Sequence, residues 1–437
     1  MKFHLINLGC KVNRVESDTL AAACLAQGGT AVPVDAADVI FINTCTVTGE
    51  AEKKTRKAVR RALRENTQAR IVVTGCAAAI APEVFGAMDP RVCVQPDKSK
   101  VLQACGALPA SFPQAAAAAA HSNPTSAPAS NPAAPALRVG TAFPTRVGIK
   151  VQDGCNNACT YCIVHVARGR STSRPFAEVV AEVQAYAAAG TKEIVLTGIN
   201  LGSYASGGYT LVDLLKALLD ASEAAAVRFR LSSIEPRDVN EALIALLAHS
   251  DGRLCRHLHL PLQAGSTKVL REMARPYTAA AYEQLVDALY AAMPTLSLST
   301  DIIVGFPGET EADFAETLAV ARRCRFSKIH VFPYSPRATT PAAARSDQVA
   351  PHIKADRTAR LHQVAEALRA QAYSQRVGTT EQVLIEQNGH GTTESYFEIP
   401  VPPQAIVGSL APLSLPPASS HSLSSGFGEG RFQGKTP

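Results

Sequence analysis

The sequence contains no apolar stretch of about 18 residues, the length that a membrane-spanning helix needs. Its first residues, MKFHLINLGC, have neither a basic leader with an apolar core nor a small-residue cleavage site, so no secretory signal is expected. Charge is modest, because 18% of residues are charged and the net charge is +6, which permits an RNA partner without demanding one. These absences argue against a membrane protein and favour the cytoplasm, where thiols stay reduced.

The cysteines of this chain are unusual in their spacing, because several of them are clustered. The count of 11 is odd, and disulfides are disfavoured in a reducing compartment, so clustered cysteines indicate metal binding or catalysis. The stretch GCNNACTYCIV at residues 154–164 carries Cys155, Cys159 and Cys162. Three thiolates on a four-iron cluster leave one iron open to a substrate or cofactor. A zinc site that uses nearby His165, or cysteines that merely pack, remain alternatives at this point.

The first hundred residues repeat a strand, loop and helix pattern in which each predicted strand ends at a cysteine. The loops that follow parallel strands share one edge of a sheet, so Cys10, Cys45 and Cys76 are predicted to come together there. Coincidental cysteines in such loops are the alternative. Core packing or a neutral surface position is expected for the remaining cysteines, Cys24, Cys93, Cys105, Cys255 and Cys324.

From residue 146 six strand candidates alternate with helical segments, which predicts a partial (β/α)6 barrel. The three-cysteine loop follows the first of these strands. Gly198, Glu235 and Gln263 stand at successive strand ends and are candidates for a cofactor pocket, although Gly198 could serve only a tight turn. The helices are predicted at 176–189, 211–224, 239–248, 278–292, 310–323 and 352–375.

The fold class is therefore α/β, with a parallel N-terminal domain, a partial barrel and a small all-β C-terminal domain. Residues 111–136 are rich in Ala, Pro and Ser with almost no charge, which is typical of a linker or insertion. The predicted boundaries are 1–106 for the N-terminal domain, 107–140 for the linker, 141–375 for the barrel, 376–416 for the β domain and 417–437 for a disordered tail.

The cysteine loop resembles the CxxxCxxC loop of the radical S-adenosylmethionine (SAM) enzymes, whose fold is a partial barrel. The resemblance extends in order from residue 7 to residue 314 and is closest to the methylthiotransferases. It is carried by NLGCKVNRVESD, INTCTVTGEAEKKTRK, VVTGC, GCNNACTYCIVHVARGRSTSR, VLTGINLGSY, RLSSIEP, LHLPLQAGSTKVLREMARPYT and TDIIVGFPGETEADF.

This resemblance implies two [4Fe–4S] clusters and S-adenosylmethionine as cofactors. It implies that Cys155, Cys159 and Cys162 hold the cluster that cleaves S-adenosylmethionine to a 5′-deoxyadenosyl radical. The cysteine triplet of the N-terminal domain would then hold an auxiliary cluster whose open iron carries the sulfur. A reducing system and a sulfur donor are also implied, and the sequence identifies neither.

Within the family, LGCKVN, NTCTVT and ARGRSTSR resemble the branch that methylthiolates C2 of N6-threonylcarbamoyladenosine beside the tRNA anticodon. That branch implies an anticodon-loop substrate and an RNA-binding C-terminal domain resembling TRAM. The alternatives are methylthiolation of isopentenyladenosine in tRNA, methylthiolation of a ribosomal protein and a non-enzymatic iron–sulfur electron carrier.

Two basic features and one aromatic pair are candidates for RNA contact. Lys53, Lys57, Arg60 and Arg64 share one face of a predicted helix, although a solvated face is the commoner explanation. Arg168, Arg170 and Arg174 follow the cysteine loop, where substrate or cofactor contact is the favoured interpretation. Tyr396 and Phe397 could stack on bases, but one of them could equally belong to the core.

Overall fold

The computed structural model of the chain describes residues 1–46, 49–104 and 145–418. The predicted linker at 107–140, nearly all of the predicted tail at 417–437 and Cys105 lie outside these residues. The described residues form two compact units, and the N-terminal one also includes the short segments Asp153–Asn157 and Cys162–Arg174. No helix in the described part of the chain has the length and apolar character to cross a membrane.

The N-terminal unit is built on a five-stranded, wholly parallel sheet in the order β2-β1-β3-β4-β5. Its strands are β1 (Lys2–Asn7), β2 (Thr30–Ala31), β3 (Val39–Thr44), β4 (Arg70–Gly75) and β5 (Val92–Val94). Its helices are α1 (Lys11–Ala26), α2 (Gly49–Glu65), α3 (Cys76–Ile80), α4 (Pro82–Gly86) and α5 (Val101–Ala104).

The sheet is buried on both faces, as parallel sheets usually are. Ile40 and Ile42 of β3 belong to one apolar cluster, whereas Phe41 belongs to a second, because successive side chains of a strand point to opposite faces. Cys24 packs in the second cluster, and burial raises the pKa of its thiol to about 11. The packing role expected for Cys24 is therefore confirmed.

The short elements around the three-cysteine loop are β6 (Val147–Lys150), β7 (Gln152–Asp153), α6 (Val164–Arg168) and β8 (Thr172–Ser173). The second unit continues with β9 (Glu193–Thr197), β10 (Ala205–Ser206), β11 (Tyr209–Thr210), β12 (Arg228–Leu231), β13 (His257–His259), β14 (Ser297–Val304) and β15 (Lys328–Pro333). Its helices are α7 (Phe176–Ala188), α8 (Leu211–Ala221), α9 (Glu241–Ala248), α10 (Thr267–Glu272), α11 (Ala279–Ala292), α12 (Glu311–Arg323) and α13 (Pro351–Ser374).

Six of these strands form the predicted partial barrel. Two parallel three-stranded sheets, β6-β9-β12 and β13-β14-β15, are joined by single parallel bridges from Phe229 to Leu254 and from Ser233 to His259. Within the described residues no pairing joins β6 to β15, so the barrel is open. Buried Cys255 and Cys324 lie in this unit and pack as expected.

Helix positions in the barrel agree with the predicted ranges to within a few residues because local signals fix them. Thr210 and Thr310 each accept a hydrogen bond from the amide of the aspartate three residues on, whose carboxylate reaches back to the threonine amide. This reciprocal capping box begins α8 and α12. The additional helix α10 was not predicted, since it is only six residues long.

The chain ends in an antiparallel sheet of order β18-β17-β16-β19. Its strands are β16 (Thr380–Ile385), β17 (His390–Thr393), β18 (Glu398–Pro400) and β19 (Leu410–Ser414). Phe397 is fully buried in the core of this sheet and packs edge-on against Tyr373. A stacking role for Phe397 is therefore wrong, because its ring does not face solvent.

This C-terminal sheet packs on the amino ends of the barrel strands. Arg228, the first residue of β12, and Arg230 of the same strand donate to the backbone carbonyls of residues 382 and 392–394. The carboxylate of Glu193, at the start of β9, binds both arginines. The centroid of the Tyr396 ring lies 4.4 Å from the guanidinium carbon of Arg230 and 4.5 Å from the centroid of the His257 ring. The ring of Tyr396 therefore packs against other residues of this unit.

Candidate functional site

The structure places the three N-terminal cysteines at one edge of the sheet. Cys10 follows β1, Cys45 follows β3 and Cys76 follows β4, and these three strands are neighbours. Cys45 and Cys76 are buried, whereas Cys10 is exposed. Their arrangement is the one that the strand, loop and helix pattern predicts, and their role as ligands remains a prediction.

Close approach of the loops depends on glycine. Gly9 has a φ of +145°, and a Cβ atom there would lie 2.9 Å from Cβ of Cys45. Gly75, immediately before Cys76, has a φ of +93°, and a Cβ atom there would lie 2.6 Å from the Thr44 carbonyl oxygen. Any larger residue would push the cysteine loops apart, which explains the Gly-Cys pairs in this unit.

A fully buried amide, that of Asn13, holds the same edge together. Its Nδ2 donates to the carbonyl of Thr44 at 2.8 Å, and its Oδ1 accepts from Sγ of Cys10 at 3.4 Å. Asn43 in turn donates to the backbone carbonyl of Asn13 at 2.9 Å. Sequence reasoning missed Asn13, although its position three residues after Cys10 in LGCKVN was a usable signal.

One arginine of the ARGRSTSR stretch reaches this edge. Arg168, the last residue of α6, donates from Nε to Sγ of Cys76 at 3.2 Å. Burial raises the pKa of the Cys76 thiol, and the charge of Arg168 opposes that increase. Arg170, two residues later, is exposed.

The CxxxCxxC loop begins at a glycine that the backbone requires. Gly154 has a φ of +68°, and a Cβ atom there would lie 2.0 Å from the carbonyl oxygen of Arg170. The amide of Cys155 donates to the carbonyl of Gly169 at 3.1 Å. Backbone amides also point at the sulfurs of Cys155 and Cys162, each at 3.4 Å, an arrangement that suits thiolates.

Cys159 and Glu235 share a buried arginine. Arg275 donates from Nη1 to Sγ of Cys159 at 3.1 Å, and its Nη2 pairs with the carboxylate of Glu235. Burial raises the pKa of Glu235, and the charge of Arg275 opposes this shift. Arg275 is a site residue that sequence reasoning missed, because it lies 116 residues from Cys159.

The two other predicted cofactor contacts, Gly198 and Gln263, also lie at carboxyl ends of barrel strands. A Cβ atom on Gly198 would lie 2.8 Å from Oε1 and 3.0 Å from Cβ of Gln152, so packing disfavours a larger residue there. Gln263 adopts a left-handed conformation with φ of +68°, and its backbone N–H donates to the backbone carbonyl of Asp301 at 2.9 Å. Whether either residue contacts a cofactor stays a prediction.

A second polar group, which sequence reasoning also missed, lies on β13, β14 and β15. His259, Asp301 and His330 bring three side-chain donor or acceptor atoms within 4.8 Å of one another. Nε2 of His259 is 3.3 Å from Oδ2 of Asp301, and Nδ1 is 3.0 Å from Oγ of Ser299. The signal was alternation along β14, where Ser299 and Asp301 share a face distinct from that of buried Leu298 and Ile302.

The basic face predicted on α2 is present. Thr55, Val59 and Ala62 of this helix are buried. The exposed side carries Lys53, Lys57, Arg60 and Arg64. This exposure agrees with a solvated face and equally with phosphate contact.

Comparisons with known proteins agree with this architecture. Residues 149–321 match the model of the radical SAM superfamily, and residues 2–94 match that of the uncharacterized protein family UPF0004. In fold the chain is similar to the radical SAM methyltransferase TsrM from Kitasatospora setae, with a TM-score of 0.53 and 16% identity over 78% of this chain and 75% of that one.

Sequence relatives are more informative. The threonylcarbamoyladenosine tRNA methylthiotransferase MtaB of Treponema pallidum is 36% identical over 90% of this chain and 93% of its own length. MtaB of Bacillus subtilis is 38% identical over 90% and 86%. The tRNA-2-methylthio-N(6)-dimethylallyladenosine synthase of Sorangium cellulosum is 38% identical over 89% and 83%. On this similarity across nearly the whole of both chains, the protein belongs to the radical SAM methylthiotransferase family.

Proposed function

We propose that this protein is a tRNA methylthiotransferase that adds a methylthio group to C2 of N6-threonylcarbamoyladenosine, the adenosine just 3′ of the anticodon. The observation that carries the proposal is a pair of separate three-cysteine sets in a chain that matches MtaB proteins over nine-tenths of its length. Electron carriers normally saturate their clusters with four protein thiolates, so two sets of three argue for an enzyme.

The residues fit two [4Fe–4S] clusters and S-adenosylmethionine. Cys155, Cys159 and Cys162 would hold one cluster, and the N-terminal cysteine triplet would hold the other. Soft thiolates with N–H donors aimed at their sulfurs are the ligand set that iron–sulfur clusters use. When bound, these groups supply one-electron chemistry at an unreactive aromatic carbon and carry the sulfur, which no side chain could do.

The chain's own residues would bind and orient S-adenosylmethionine and the target base. Gly198, Glu235 and Gln263 would line the S-adenosylmethionine pocket at the carboxyl ends of the strands, where ligands bind in such barrels. Asp301 and the two histidines beside it offer hydrogen-bonding atoms on the barrel strands and would take the polar edge of the target base. Aromatic bases extruded from an anticodon loop are read by such edge contacts.

The exposed basic face of α2 would hold tRNA phosphates, and the C-terminal antiparallel sheet would be a TRAM-like RNA-binding module. The proposal also includes the domain boundaries predicted from the sequence, with 376–416 for that module, and a cytoplasmic location.

Charge reversal of Lys53, Lys57, Arg60 and Arg64 of α2 together should weaken tRNA binding and reduce its salt dependence. Unchanged binding would restore the solvated-face explanation.

The test is mass spectrometry of tRNA nucleosides from a strain lacking the methylthiotransferase gene and complemented with this chain. We expect 2-methylthio-N6-threonylcarbamoyladenosine to reappear with the wild-type chain and to be absent with the Cys45→Ala variant. Methylthiolation of isopentenyladenosine alone would move the protein to the sibling activity. A modified ribosomal protein with no RNA product would refute the tRNA assignment.

A further inference from the structure

A buried arginine from the segment after the CxxxCxxC loop binds among the N-terminal cysteines. Its side chain is only 5% exposed. Nε of Arg168 donates to Sγ of Cys76, and Nη2 donates to Oδ1 of Asn13 at 2.8 Å. Since Asn13 also contacts Cys10 and the carbonyl before Cys45, one guanidinium is connected to all three cysteine positions.

The orientation of this guanidinium is fixed by its remaining donors. Nη1 donates to Glu16 and to Asp153, both at 2.9 Å, and Nη2 also reaches Glu16 at 3.3 Å. Every nitrogen therefore has an acceptor, and the planar fork cannot rotate without losing one of them. A lysine would carry the same charge, but all its N–H donors are on one nitrogen, so it could not reach these separated acceptors together.

The carboxylates of Glu16 and Asp153 balance the charge of Arg168. The bond from its Nε–H to the sulfur of Cys76 is a separate contact that charge balance does not require. The two carboxylates would be enough to bury a structural arginine, and Glu16 also pairs with Lys98. The buried Nε–H still needs an acceptor, and the acceptor that this structure supplies is the sulfur of Cys76. Charge-assisted bonds to an ionised acceptor are roughly twice as strong as neutral ones, so this contact gains most when Cys76 is a thiolate.

We propose that Arg168 is a positioning residue for the cluster held by Cys10, Cys45 and Cys76, and that its bond to Cys76 raises the reduction potential of that cluster. The inference rests on the proposed function, because it needs a cluster at these cysteines. Hydrogen bonds to cluster sulfurs and nearby positive charge stabilise the reduced, more negative state. Arg275 makes the corresponding bond to Cys159, so each cysteine set has its own arginine.

The experiment isolates the auxiliary cluster. In full-length protein whose CxxxCxxC cysteines are all replaced by Ala, Arg168→Lys and Arg168→Gln are reconstituted anaerobically. Iron content and the midpoint potential, followed by electron paramagnetic resonance, are then measured. We expect about four irons per chain in each protein and a lower potential in both variants. The decrease should be larger for Gln, which loses the charge as well as the fork.

Arg170→Gln is the matched control, because Arg170 is exposed on the same stretch, and its potential should equal that of the parent. Thermal unfolding of the apo proteins identifies any variant that has lost its fold. A folded Arg168→Lys protein with unchanged potential, or with its iron lost, would overturn the inference. Absence of a [4Fe–4S] signal in the parent itself would instead refute the cluster assignment of the proposed function.

Discussion

Replacement of Glu193 by Gln tests how the C-terminal sheet is attached to the barrel. The Glu193 side chain is fully buried and pairs with Arg228 at 2.5 Å and Arg230 at 3.0 Å, whose side chains are 3% and 0% exposed. The amide of Gln keeps the volume but removes the negative charge. Two buried guanidiniums would then lie beside one another with only neutral carbonyl acceptors from the C-terminal sheet.

The expected cost follows from burial. Removing one partner of a buried ion pair costs about 3–5 kcal/mol, because the remaining charge stays desolvated. Glu311→Gln is the matched control, since Glu311 also pairs with two arginines, at 2.7 and 3.5 Å, but its side chain is 59% exposed. Exposed pairs contribute about 0.2–1 kcal/mol. The same chemical change should therefore differ several-fold in effect between the two sites.

Urea unfolding of both apo variants, with limited proteolysis of the C-terminal sheet, measures this difference. The pH dependence gives a second check. Burial alone would raise the pKa of Glu193, but the charges of Arg228, Arg230 and Arg146 outweigh burial and hold the pKa below its usual value. The stabilisation should therefore be complete above the unfolded-state pKa of about 4.3 and be lost as the pH falls through the lower folded-state pKa. A Glu193→Gln cost no larger than that of Glu311→Gln would refute the reasoning.

Three further predictions concern the candidate site. Cys45→Ala and Cys159→Ala should each reduce bound iron from about eight to about four per chain, but only Cys159→Ala should abolish cleavage of S-adenosylmethionine; loss of cleavage in both would contradict two independent clusters. Gly154→Ala should lose the CxxxCxxC cluster, because its Cβ atom would meet the Arg170 carbonyl oxygen at 2.0 Å, and retention of about eight irons would argue against this. Asp301→Asn should retain cleavage yet form far less methylthiolated nucleoside, measured by chromatography of both products; normal yield would exclude Asp301 from base contact.

Local sequence patterns were enough to predict the parts of the fold that depend on residues close together in sequence. Strand, loop and helix alternation predicted the barrel, and it placed three cysteines at strand ends and three more in the loop after the first barrel strand. The Thr and Asp capping boxes are also local, so helix starts were recoverable to within a few residues. Gly9 and Gly75 could be suspected from the Gly-Cys pairs, although their positive φ values required the structure.

Contacts between distant segments could not be predicted. Asn13 and Arg168 are 155 residues apart, and no local property of either residue indicates the other. Tyr396 and Phe397 lie in the turn between β17 and β18, and sequence alone does not say which of two adjacent aromatic rings is covered by distant residues. Here one ring enters the core of the sheet and the other packs on Arg230.

The attachment of the C-terminal sheet restricts how RNA approaches the barrel unit. Arg228 and Arg230 bind the sheet at the amino ends of the strands, whereas Glu235 and Gln263 stand beyond the carboxyl ends. The C-terminal sheet thus covers the amino end, and under the proposed function a base would reach Asp301 from the carboxyl end or through the opening between β6 and β15. Any RNA contact made by the C-terminal sheet therefore uses its outer surface and binds the nucleic acid away from the reacting base. Substitutions on that surface should change tRNA affinity while leaving the chemistry of bound substrate intact.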